Sequence, residues 1–240
     1  MIVTNKKTIN IFILSIFITT FIFVYFYREK TLQTVSFPVS DKIIVIDAGH
    51  GGEDGGAISV NGISEADINL SIALKLQNLL EQSGTTVILT RSTDESIYDA
   101  ENNGSIRQKK ISDLKNRVKL GNESSADIFV SIHLNKIPQT QYDGWQTFYN
   151  KNNLEGKRLA ESIQKNLNET IQKENNRIAK SIENIYIIDH IEIPTAIVEC
   201  GFLSNQEELK KLQDETYQEK LAWGIYTGIM SWFQEYKMNS

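Results

Sequence analysis

IVIDAGHGG, residues 44–52, is the stretch that decides the fold. Ile44, Val45 and Ile46 make a β-branched run suited to a strand buried on both faces, and glycines at 49, 51 and 52 let the backbone turn sharply around His50. Such a turn presents an imidazole at the carboxyl end of a strand, where α/β proteins place their ligands. Two further runs end alike. IFVSIH at 128–133 delivers His133, and AIVE at 196–199 delivers Glu199, with Gly201 shortly after. Three polar, metal-competent side chains therefore leave three apolar strands at the same kind of position, and together they read as a site.

Around these runs the pattern alternates. Strands are predicted at 43–47, 86–90, 128–132, 145–149, 185–188 and 195–199. A helix from Glu65 keeps Ile68, Ile72, Leu76 and Leu79 on one stripe, and a second over 154–172 aligns Ala160, Ile163, Leu167 and Ile171. The last, over 215–236, aligns Leu221, Ile225, Ile229, Trp232, Phe233 and Tyr236. This order predicts an α/β fold of three layers, with a largely parallel central sheet and helices on both faces. The polar segment 92–107 is expected to be a solvated surface loop, with a substrate-facing lid as the alternative.

The amino-terminal segment is of another kind. Thr8–Tyr27 contains no charged residue, and twenty helical residues span about 30 Å, the thickness of a bilayer core. Lys6 and Lys7 precede it, so the positive-inside rule puts the amino terminus in the cytoplasm and the rest outside. The expected organisation is a cytoplasmic stub and transmembrane anchor over 1–30, a tether over 31–41 and a catalytic domain over 42–240. A secreted protein with a cleaved signal is the rival, although the run ends in large residues, Val24 to Tyr27, rather than a small-residue cleavage site. The whole chain carries −5 and its first 30 residues +3, which leaves −8 on the remainder. An acidic body argues against nucleic acid as a partner. Cys200 is the only cysteine, so no intrachain disulfide supports the domain.

A zinc hydrolase needs three protein ligands, an open position for water and a nearby carboxylate to take the water's proton. His50 and His133 supply two nitrogens for one zinc ion. Glu65 is the best third ligand, because Ser64 reads as a helix N-cap and places Glu65 in a first turn, where the helix dipole favours a carboxylate. Asn69 follows one turn later on the same face, within reach of the metal's surroundings or of substrate. Glu199 is the candidate general base. Asp47 and Asp127 are candidates to orient the histidines, with ordinary turn or capping roles as the alternative. Ser204 with Glu207 reads as a capping box that starts a further helix. Cys200 alternates to the opposite face of its strand from Glu199 and reads as a buried small hydrophobe rather than a thiol nucleophile. His190 reads as a surface or pocket-rim residue in a loop.

Taken in order, GHGGEDGGA (49–57), Glu65 with Asn69, Arg91, Arg117 with Asn122, Asp127, SIHLN (131–135) and VECGFLSN (198–205) resemble the zinc-dependent N-acetylmuramoyl-L-alanine amidases of the Amidase_3 type over about residues 42–236. The resemblance implies zinc at His50, Glu65 and His133, catalysis by Glu199, and as substrate the peptidoglycan amide between N-acetylmuramic acid and L-alanine. The short anchored chain without wall-binding repeats, and QTFY at 146–149, look most like the spore-cortex members, which implies the forespore intermembrane space as the setting. Leu134 stands where many relatives have a small residue. The rivals are a zinc carboxypeptidase of stem peptides, which would need a cation such as Arg91, Arg117 or Arg177 for the terminal carboxylate, and a non-catalytic wall-binding module. Whether a protein activator takes part is open at this level.

Overall fold

Continuous β-branched runs bury best in the middle of a sheet, and the chain uses them so. The computed structural model describes residues 5–30, 37–99, 101 and 104–239. It divides into two compact units, Met1–Ser36 and Phe37–Ser240. In the first, α1 (Lys6–Lys30) carries an apolar stretch, Lys6–Phe26, with a mean hydropathy of 2.3. At 21 residues it is long enough to cross a bilayer, a property shared by membrane anchors and signal sequences. Residues 31–36 of the expected tether lie outside the described residues.

In the second unit, β1 (Ile43–Ala48) lies between β2 (Thr86–Leu89) and β3 (Ile128–Asn135), and β6 (Thr195–Phe202) joins the far side of β3. All of these pairings are parallel. β4 (Gln146–Tyr149) then pairs antiparallel with β6, and the short β5 (Lys180–Ser181) closes the edge beside β4. The sheet is therefore mixed, with flanking helices. Its four-stranded part is parallel as expected, and the departure comes at β4, which runs opposite to β6.

Strand alternation divides the core in two. Ile44, Ile46 and Ala48 of β1 join the larger cluster with α2 (Glu65–Gln82), α4 (Leu154–Ile171) and α7 (Glu215–Asn239), which supply Leu76, Ile163 and Ile225 among others. Val45 joins the smaller cluster with Val118 of α3 (Ile106–Glu123) and Ile187 of α5 (Tyr186–His190). Fully burying one such aliphatic side chain contributes about 1.5–3 kcal/mol. Val39 is also fully buried in the larger cluster.

Three local expectations are corrected. The run at 185–188 is not a strand: Asn184 adopts a left-handed φ of 64°, and the chain then makes one helical turn, α5, whose Ile187 carbonyl accepts from Ile191 N. Ile187 and Ile191, four apart, thereby reach the same apolar cluster. His190 accordingly ends a helix rather than lying in a loop. The helix α6 (Gln206–Leu212) is capped by Asn205, whose side chain accepts from Glu207 N and Glu208 N, one residue later than Ser204.

Candidate metal centre

Parallel strands in register bring their carboxyl ends to one level, and there the polar residues meet. Ala48 pairs with Ile132, and His133 with Glu199. Gly49 N donates to Ile132 O at 3.0 Å, extending the pairing by one residue before His50 turns away with φ 64°. Gly49 is required for space, because a Cβ there would enter the ring of His133. Gly56 serves the same need from the next turn: at φ +68° its Cβ would lie 2.6 Å from His50 Cδ2 and 2.7 Å from Glu65 Oε2.

Glu65 opens α2, where Ser64 accepts from Ala66 N as its cap. Its Oε1 lies 2.9 Å from His133 Nδ1 and 3.3 Å from His50 Nε2. The remaining bonds fix the carboxylate: Oε1 accepts from Leu134 N and from Asn69 Nδ2, and Oε2 from Ala57 N. Burial alone would raise this carboxyl, but hydrogen bonds and charge from His133 and His50 outweigh it and hold Glu65 well below the usual carboxylate range. It stays an anion at neutral pH.

Donor atoms of His50, Glu65 and His133 all lie within 4.8 Å of one another. Tetrahedral zinc with bonds of about 2.0–2.1 Å separates its ligand atoms by about 3.3 Å, so the observed spacing and the nitrogen and oxygen donor set fit the ion. Two atoms beside the cluster strengthen the fit. Glu199 Oε2 and Asn69 Oδ1 are shielded from solvent without a hydrogen-bond partner, which marks a polar site rather than core. Burial outweighs the pull of His133 and pushes the Glu199 carboxyl up to about 7, the range a general base needs at neutral pH.

Other expected residues fall elsewhere. Asp47 accepts from Arg117, Thr90 and Ser131, and Asp127 from Lys42 and the Ile43 amide, so neither hydrogen-bonds a histidine. Asp54 takes that part instead, with Oδ2 2.9 Å from His50 Nδ1, which leaves Nε2 toward Glu65. Its only sequence signal was its place in GHGGED. His190 is exposed, stacked on Tyr186 at 4.1 Å, and outside the cluster. Cys200 is fully buried in the core. Of the 92–107 segment, residues 100, 102 and 103 lie outside the described residues; its start packs on the histidine turn, where Asp94 accepts from Gly52 N and Ser96 donates to Gly51 O. Arg91 and Arg117 are 3 % and 1 % exposed and spent on internal bonds, so neither is free to hold a substrate carboxylate.

A family model described as N-acetylmuramoyl-L-alanine amidase, Amidase_3, matches residues 44–231. The germination-specific N-acetylmuramoyl-L-alanine amidase of Bacillus subtilis is 39% identical over 225 residues, 93% of this chain and 94% of its own length. Among solved structures, the CwlD amidase of Clostridioides difficile, in complex with the GerS lipoprotein, is 49% identical with a TM-score of 0.79, covering 81% of this chain and 100% of that one. The catalytic domain of CwlV from Bacillus (Paenibacillus) polymyxa is 31% identical with a TM-score of 0.69, over 80% and 98%. With two histidines from the strands and Glu65 from the start of α2 brought together as such chemistry requires, the chain belongs to the Amidase_3 family of zinc-type N-acetylmuramoyl-L-alanine amidases.

Proposed function

We propose that this chain hydrolyses the amide between the lactyl group of N-acetylmuramic acid and the L-alanine of the peptidoglycan stem, with one zinc ion held by His50, Glu65 and His133. The observation that carries the reading is the convergence of these three donors beside the unpartnered Glu199 Oε2. Bound there, zinc supplies Lewis-acid polarisation of the amide and acidifies water. The chain's own residues do the rest. Glu199 accepts a proton from the attacking water as the carbon–oxygen bond forms, then gives it to the nitrogen as the carbon–nitrogen bond breaks. The products are a lactyl carboxylate and a stem peptide with a free amine. Asp54 keeps His50 in the tautomer that points Nε2 inward, and Asn69 steadies Glu65.

The setting we infer is the spore cortex, supported by likeness to the Bacillus subtilis germination-specific amidase and the Clostridioides difficile CwlD amidase. Residues 1–30 would hold the catalytic domain, taken as 42–240 after a tether, on the outer side of a membrane. Lys6 and Lys7 at the start of the apolar helix support that orientation. The lipoprotein bound to the Clostridioides difficile relative makes a lipoprotein the class of protein partner to test. The decisive experiment is mass spectrometry of muropeptides treated with the soluble domain, alongside metal analysis. Whole stem peptides and one zinc per chain are expected, with both lost in His50→Ala and His133→Ala. Release of single amino acids would identify a carboxypeptidase instead.

A further inference from the structure

Arg91 follows β2 as a buried guanidinium, yet among the described residues no carboxylate lies within ion-pair distance of it. Asp47, Asp94 and Asp113 attract it only from beyond ion-pair distance, and a buried cation with no carboxylate in contact is costly, so its bonds must serve some other end. All of them go to main-chain carbonyls. Nε donates to Ala48 O at 2.8 Å and Nη1 to Thr93 O at 3.0 Å, while Nη2 donates both to Gly49 O at 3.1 Å and to Ala66 O at 2.8 Å. Gly49 precedes His50 and Ala66 follows Glu65 in the chain. One nitrogen thus bridges the segments that carry two of the three donor residues.

We propose that Arg91 is a positioning residue that bolts the His50 turn to the first turn of α2 and so sets the spacing of the metal donors. This rests on reading His50, Glu65 and His133 as the ligands. The planar fork of arginine suits the task, because its donors leave in fixed directions and reach separate carbonyls at once; lysine offers a single point of charge and cannot span them. Arg117 also touches the turn, donating to Ala48 O and His50 O, but it is ion-paired with Asp47 and Asp113 as well. Its loss would therefore mix positioning with a broken buried ion pair. Arg91 isolates the positioning effect.

The test compares wild type with Arg91→Lys and Arg91→Gln in the full chain, by zinc affinity in chelator competition and by the visible spectrum of the cobalt-substituted proteins. Both variants are expected to melt cooperatively, to bind zinc roughly 10–100-fold more weakly, and to show altered cobalt bands. Wild-type zinc affinity and an unchanged cobalt spectrum in Arg91→Lys would overturn the proposal. So would variants that stay unfolded in the cold at saturating zinc, since Arg91 would then belong to the general core. Wild-type protein that fails to bind one zinc would instead sink the ligand assignment on which the proposal rests.

Discussion

At the scale of single residues, Glu199 and Cys200 are neighbours with opposite fates because a strand alternates its side chains. Glu199 stands on the sheet face of His133 and Gln146, its register partners on either side, whereas Cys200 is buried in the larger apolar cluster. Glu199→Gln keeps the shape and removes the proton acceptor. Turnover is expected to fall by roughly 10²–10⁴ while zinc content stays at one per chain; zinc loss in metal analysis would make Glu199 a ligand instead. The thiol is raised far above its ordinary range by burial and then by the nearby Glu199 and Glu208 carboxylates, which argues against a thiolate nucleophile at neutral pH. Cys200→Ala is expected to retain most turnover, and iodoacetamide to inactivate the wild type slowly or not at all. A folded, zinc-loaded but inactive Cys200→Ala would reverse that view.

At the scale of elements, α3 shows how a functional helix escapes periodicity. Its buried face includes Ser112, Asp113, Arg117 and Gly121, with Val118 as the apolar exception, because it faces the polar underside of the site. Its apolar share is small, Val118 with the half-buried Leu114 and Leu120 against the smaller cluster, so the hydrophobic repeat is weak and the capping box of Ser105 with Gln108 is the clearest mark of the start. Another junction ties α6 to β6, the strand of Glu199. Glu208 is buried and accepts from Phe202 N through Oε2 and from Gly144 N through Oε1. Burial outweighs these bonds and pushes its carboxyl from the ordinary 4.5 up to about 7. Between those values the folded chain binds more protons than the unfolded one, so this group's contribution falls as pH rises and is fully regained only below about 4.5. Glu208→Gln lacks the titration. The stability difference between wild type and variant, from urea midpoints, is expected to shift against the wild type as pH rises from 4.5 to 7, by up to about 1.4 kcal/mol per unit. A difference flat in pH would remove Glu208 from the linkage.

At the scale of the whole molecule, the apolar α1 segment and the catalytic unit Phe37–Ser240 are separate pieces of chain. Removing residues 1–30 deletes none of the buried core, so the truncated protein is expected to be soluble and to cleave the same amide. The full chain is expected to stay with membranes through a high-salt wash, since apolar burial is not screened by salt. A mature amino terminus just beyond Tyr27 in the soluble exported fraction would show cleavage instead. Much of this architecture is legible locally: strand-end donors follow apolar runs, and α2, α4 and α7 announce themselves by stripes of period 3.6. The proposal of His50, Glu65, His133 and Glu199 as one set rests on that legibility, together with family resemblance. What only the tertiary structure decided lies between segments. The reversal of β4, the single turn of α5, Asp54 behind His50, and the carbonyl bonds of Arg91 and Arg117 are of that kind. Those arginines reach Gly49 and His50 across 42 and 67 positions of chain. A main-chain carbonyl has no side-chain signature, so no local pattern encodes which distant guanidinium it will accept from; that is settled only when packing brings the segments together.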